Sequence, residues 1–151
     1  MSENSLLTAQ LASLLTGEHN KIANLANASA LLMQSLAEIN WAGFYLFDKE
    51  KNELVLGPFQ GKVACMHIKL GNGVCGTSAV KQKIIVVDDV QQFKGYIACD
   101  SAAQSELVIP LVKDSQLVGV LDLDSPIKNR FDKEITNELE AFSQMLLKML
   151  D

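Results

Sequence analysis

The sequence predicts an α+β domain in which an antiparallel sheet carries the helices of both chain ends on one face. Three observations point there. Apolar residues recur at helical spacing at both ends of the chain. Between them lie two pairs of apolar stretches, each pair split by a short polar turn and so read as a hairpin. The stretch between the hairpins is irregular, so strands and helices do not alternate as a parallel sheet requires.

The elements follow in order. Leu7, Leu11, Leu14 and Leu15 mark a first amphipathic helix, and Gly17 ends it. Ile22, Leu25, Ala26, Ser29, Leu32, Leu36 and Ile39 mark a second. Residues 41–47 are aromatic-rich and read as a strand, and residues 48–52 as a polar turn. Leu54-Val55-Leu56 begins the partner strand. Gly71-Asn72-Gly73-Val74-Cys75-Gly76 reads as a glycine-rich turn, with a short helix over residues 77–81. Residues 84–87 read as a short buried strand. Residues 106–112 and 116–124 form the second hairpin about the turn Lys113-Asp114-Ser115. Phe131, Ile135, Leu139, Phe142, Leu146 and Met149 mark the last helix, with Asp132 as its N-cap and Glu134 suited to the dipole of its first turn.

Size and composition narrow the function. The chain has 151 residues and a 48% apolar share, enough for one domain with a real core, and no linker or repeat divides it. Net charge is -5 and Arg130 is the only arginine, which argues against a nucleic-acid reader. No apolar run approaches the ~20 residues of a membrane span. The opening Met1-Ser2-Glu3-Asn4 lacks the pattern of a signal peptide, so a cytoplasmic location is expected. Cys65, Cys75 and Cys99 are an odd set without a C-x-x-C pair, and His19 and His67 lie far apart. Neither a secreted disulfide framework nor a zinc site is expected, and no metal ligands are assigned.

Cys99 stands out because small and polar residues surround it just before an apolar strand, which places a thiol on a loop. Cys75 and Cys65, taken alone, read as small residues of turn and strand. Strand periodicity sorts the other candidates by face. Trp41, Gly43, Tyr45 and Phe47 share one face, and Glu106 shares another with Val108 and Pro110. Gln116, Val118, Val120, Asp122 and Asp124 lie opposite Leu117, Leu121 and Leu123. If these faces converge, they make a pocket with an aromatic wall and an acidic floor, suited to an ammonium group with an apolar or thioether tail. The plainer alternatives are that Trp41 and Tyr45 are core, that Asp122 and Asp124 mark a strand's exit to solvent, and that Glu106 is an exposed strand start.

Five segments together resemble the free methionine-(R)-sulfoxide reductases, which are single GAF domains. They are Asn40-Trp41-Ala42-Gly43-Phe44-Tyr45, Gly73-Val74-Cys75-Gly76, Ile97-Ala98-Cys99-Asp100, Ser105-Glu106-Leu107-Val108-Ile109-Pro110 and Gly119-Val120-Leu121-Asp122-Leu123-Asp124-Ser125. The resemblance covers nearly the whole chain. GAF domains in general do not carry three cysteines at these positions, so the combination is specific.

What the resemblance implies is a single GAF domain over residues 1–151, reducing free L-methionine (R)-sulfoxide through sulfenic acid and disulfide intermediates. It implies Cys99 as nucleophile, Cys65 as resolving thiol and Cys75 as a possible second one. Glu106, Asp122 and Asp124 would hold the substrate, with Trp41 and Tyr45 forming the aromatic side. No bound cofactor is implied, only an external dithiol such as thioredoxin. Tyr96 departs from the pattern, which has histidine there. Two rival functions remain at this level: a non-catalytic ligand-binding GAF sensor, and a thiol redox switch. The apolar faces of the terminal helices also suit a homodimer.

Overall fold

The computed structural model describes residues 3–151, with side chains from residue 6 onward. Met1 and Ser2, which open the stretch read above for a signal peptide, lie outside the described residues. Helices α1 (Glu3–Leu15) and α2 (Lys21–Ser35) come first, then strands β1 (Trp41–Asp48), β2 (Glu53–Gly61) and β3 (His67–Lys69). Helix α3 (Gly73–Lys81), strand β4 (Ile85–Val87) and a 3-10 turn at Val90–Gln92 follow. Strands β5 (Ser105–Lys113) and β6 (Gln116–Ser125) and helix α4 (Lys133–Met149) complete the chain.

The six strands form one antiparallel sheet in the order β3-β2-β1-β6-β5-β4. Both expected hairpins are present. The second closes through Asp114 and Ser115 at φ 53° and 63°, the paired positive values of a type I′ turn that matches strand twist. One face of the sheet is apolar and carries the terminal helices, as the sequence predicts. Ala42 and Phe44 of β1, Leu107, Ile109 and Leu111 of β5, and Leu121 and Leu123 of β6 pack there. Their partners include Leu11 and Leu15 of α1, Leu25 and Leu32 of α2, and Phe142 and Leu146 of α4. Asn20 caps α2 by accepting from Ala23 N at 2.9 Å, and Asp132 caps α4 by accepting from Ile135 N at 2.9 Å. No helix among the described residues is long and apolar enough to cross a membrane.

Four local readings differ from the structure. Helix α2 ends at Ser35, so Leu36 and Ile39 pack beyond it rather than within it. Helix α3 begins at Gly73, not residue 77, so Cys75 and Gly76 are helical. Gly73 has φ 63°, and its missing Cβ leaves room for Ile97, whose Cδ1 would lie 3.0 Å from such an atom. Strand β4 is an edge strand with Val86 40% exposed, not a buried one. Finally, a bulge falls where Leu111 pairs Gly119 but Val112 pairs Leu117. It reverses the alternation, so Val118 packs on the helical side and Leu117 on the other.

Candidate active site

The pocket is built on the sheet face opposite the terminal helices, and strand register assembles it. Asp124 of β6 pairs Trp41 of β1 on one side and Glu106 of β5 on the other. Two residues along, Asp122 pairs Gly43 and Val108. Three carboxylates therefore converge from two adjacent strands beside an aromatic wall. Gly43 is required by close approach: a Cβ there would lie 2.2 Å from the Cβ of Phe59. Phe59 in turn stacks on Trp41, with ring centroids 5.0 Å apart, and Trp41 stacks on Tyr45 at 5.8 Å.

These aromatic rings also hold the segment that carries Cys65. The Trp41 Nε1–H donates to the Lys62 carbonyl at 3.1 Å, and the Tyr45 hydroxyl donates to the Cys65 carbonyl at 2.9 Å. Cys65 is bonded to Cys99 in a disulfide across 34 residues of chain, with Cα atoms 5.4 Å apart. Cys99 lies on the loop between the 3-10 turn and β5. Cys75, on α3, is a buried free thiol whose Sγ lies 3.9 Å from Glu106 Oε2.

Glu106, Asp122 and Asp124 are 6%, 5% and 8% exposed, which settles the alternatives of a strand start or a solvent exit in favour of burial. Burial and the neighbouring charges of Asp122 and Asp124 hold the Glu106 carboxyl well above the usual carboxylate range. Burial, with the charges of Asp122 and Asp100, does the same to Asp124. Burial raises Asp122 too, but hydrogen bonds from Glu106 and Cys75 oppose the shift. All three carboxyls therefore hold their protons more tightly than an exposed carboxylate does. One oxygen, Asp122 Oδ1, is buried with no partner among the described residues. Burial and the same carboxylates push the Cys75 thiol up, so it stays protonated beside them.

All eight residues singled out from the sequence border this region: Trp41, Tyr45, Cys75, Cys99, Glu106, Asp122 and Asp124 line the pocket, and Cys65 closes it through the disulfide. The N-terminus of α3 also lines it. Asn72 makes no side-chain cap there, so backbone N–H groups of the first turn remain available to an anion. Tyr96, Ile97 and Asp100 complete the wall. Burial, then the charges of Glu106 and Asp124, keeps the Tyr96 phenol protonated. With the disulfide closed the cavity is about 30 Å³, far below the roughly 300–1,000 Å³ of small-molecule sites. Sequence reading assigned no metal ligands. Among the described residues the donor atoms of Cys75, Glu106 and Asp122 nevertheless lie within 4.8 Å of one another, a set able to share a cation only by losing protons. His67 and His19 lie outside the pocket, bonded to Glu53 at 2.8 Å and Asp151 at 3.0 Å.

The fold agrees with that of the proteins the chain is similar to. The GAF domain pattern matches residues 23–147. The free methionine-R-sulfoxide reductase of Escherichia coli is 50% identical over 137 residues, 91% of this chain and 82% of that protein. Protein YtsP of Bacillus subtilis is 52% identical over 145 residues, 96% of this chain and 89% of its own length. The reduced form of fRMsr of Staphylococcus aureus superposes with a TM-score of 0.93 at 50% identity, covering 100% of this chain and 97% of that one. A second structure of the Staphylococcus protein, in complex with substrate, gives 0.92 at 50% identity and the same coverage.

Proposed function

Because the chain belongs to the GAF domain family and, within it, to the free methionine-R-sulfoxide reductases, we propose that it reduces free L-methionine (R)-sulfoxide by thiol chemistry at Cys99. As an oxidoreductase of this family it needs a nucleophile, an acid and a resolving thiol. The observation that carries the assignment is the Cys65–Cys99 disulfide at the edge of a pocket floored by Glu106, Asp122 and Asp124. The whole of residues 1–151 acts as one GAF domain, with α1 completing the helical face.

The Cys99 thiolate attacks the sulfoxide sulfur. Glu106, held protonated by its buried neighbours, delivers its proton to the sulfoxide oxygen. Oxygen passes to Cys99, whose sulfur is oxidised by two electrons to the sulfenic acid, and methionine leaves reduced. The Cys65 thiol then displaces water from the sulfenic acid, closing the disulfide. An external dithiol of the thioredoxin class reduces it. Cys75, protonated and inside the acid cluster, is the poorer resolving thiol.

Recognition divides between two ends of the substrate. Asp124 and Asp122 face the ammonium group and Trp41 and Tyr45 the thioether side. Backbone N–H groups at the start of α3 receive the carboxylate. A residue inside a peptide offers neither free end, so the free amino acid is selected. The small cavity supports a further reading: the oxidised enzyme is closed to substrate, and reduction of the disulfide frees the Cys99 loop to admit it.

The test is loss of free methionine-R-sulfoxide with dithiothreitol as reductant, alongside the S epimer, a peptide-bound sulfoxide and Cys99→Ser. Expected are many turnovers with the free R epimer alone and a loss of at least about 10³-fold in Cys99→Ser. A single oxidation of Cys65 and Cys99 without turnover would instead favour a redox switch, the reading the same disulfide supports.

A further inference from the structure

We propose that Asn40 is a positioning residue: its hydrogen bond to Asp100 latches the Cys99 loop to the first strand of the sheet and keeps the thiol over the pocket when the disulfide is open. The role rests on the reading of Cys99 as nucleophile.

Asn40 precedes β1, and two bonds fix it. Its backbone N–H donates to the Asp124 carbonyl at 3.0 Å, so its position is tied to the end of the strand that carries the acids. Its side-chain Nδ2 donates to Asp100 Oδ2 at 2.7 Å, a short bond to a charged acceptor that spans 60 residues of chain. Asp100 follows Cys99 directly. Its other oxygen, Oδ1, accepts from Ala102 N at 2.9 Å and its carbonyl from Ala103 N at 3.2 Å. One carboxylate thus shapes its own loop with one oxygen and joins that loop to the sheet with the other. Cys99 itself is held only locally on its other side, its N–H donating to the Ile97 carbonyl at 3.0 Å. The covalent tie to Cys65 exists only in the oxidised protein, whereas the bond from Asn40 needs no disulfide to form; it costs less ordering where the disulfide already holds the loop, so the two ties reinforce each other.

The choice of an amide has a physical reason. A lysine or arginine at this place would hold Asp100 as well but would cancel its charge. An amide anchors the loop and leaves the pocket negative toward an incoming ammonium group. The arrangement also carries a penalty that stability alone does not explain: Asn40 Oδ1 is buried with no partner among the described residues.

The experiment compares wild type, Asn40→Ala, Asn40→Asp, Asp100→Ala and the exchange Asn40→Asp with Asp100→Asn. In the exchange the amide and carboxylate trade places, and the new amide can donate to position 40 while its oxygen still accepts from Ala102. The first readout is the equilibrium of the Cys65–Cys99 disulfide with dithiothreitol, which requires no methionine sulfoxide and tests the latch even if the reductase reading fails. The second is kcat against KM for the free sulfoxide. Asn40→Ala should shift the disulfide equilibrium toward the dithiol by about tenfold and lower kcat by about tenfold, with KM changed less than threefold. Asn40→Asp, which sets two carboxylates against each other, should do worse. Asp100→Ala lies on the loop rather than in the sheet, so it repeats the measurement should Asn40→Ala fold poorly. The exchange should recover most of the disulfide equilibrium. Single variants with the wild-type equilibrium would overturn the latch, as would an exchange no better than Asn40→Asp.

Discussion

On β6, Leu121 and Leu123 face the terminal helices, while Asp122 and Asp124, each one residue away along the same strand, face the pocket. The helical side is apolar at most of its buried strand positions, where side chains gain from leaving water; Ser105 and Ser125, at the strand ends, are the buried polar exceptions. The pocket side gathers three carboxylates and a thiol in a buried space, where the charged forms are disfavoured and one oxygen has no partner. Apolar packing on the first side, and the smaller cluster of Leu54, Ile68, Val108 and Val120 on the second, support an unfavourable concentration of acid in the pocket. The same strands serve both because successive side chains point to opposite faces.

Substitutions one residue apart should therefore separate stability from activity. Leu121→Ala should destabilise the protein by about 2–5 kcal/mol in chemical denaturation, with KM for the sulfoxide near wild type. Asp124→Asn should do the reverse, raising KM by about a hundredfold at an unchanged or higher melting temperature. An Asp124→Asn enzyme with wild-type KM would remove that residue from the ammonium site.

The acid cluster makes a subtler prediction about pH. Glu106 has a folded pKa raised by burial and by Asp122 and Asp124, so the folded state holds its proton after the unfolded chain has released it. Its contribution is full below the ordinary carboxylate value and declines as pH rises through the raised one. Glu106→Gln, which cannot ionise, should escape that decline. Without substrate, its melting temperature relative to wild type should rise between pH 4 and pH 8 by about 2–4 °C, the scale of about 1 kcal/mol in a chain of this size. Parallel curves for the two proteins would mean that Glu106 does not bear this strain. The smallest effect is expected at Tyr96. Its phenol lines the pocket, but Glu106 supplies the proton in the mechanism above, so Tyr96→Phe should change kcat less than about threefold.

Much of the fold was legible because it follows local periodicity. The leucine spacing of the terminal helices and the two hairpins needs only neighbouring residues to be read, and the structure agrees with it. The start of α3 was not legible, because three glycines near residue 73 look like a turn; packing against Ile97 and the pocket wall lets the helix begin there. Val118 was assigned to the wrong face because a bulge opposite Leu111 and Val112 resets the alternation, and nothing in residues 116–118 announces it. Phe59, which stacks on Trp41, and Asn40 were passed over for a related reason: their partners lie on other elements.

Beyond the bulge, along the regular part of β6, the sequence by itself determined which residues share a face. A period of two places Asp122 with Asp124 and sets both apart from Leu121 and Leu123 wherever the strand goes. It also supplied the residue pattern by which the chain resembles its family. Only the tertiary structure decided that Glu106 lies across from Asp124, that Asp124 lies across from Trp41, and that Cys65 reaches Cys99 over 34 residues. Those facts depend on strand register and on the paths of the short β2–β3 connection and the longer loop that carries Cys99. Such contacts join parts of the chain whose separation no local periodicity encodes, and the burial that sets the acids' proton affinities exists only once they are made.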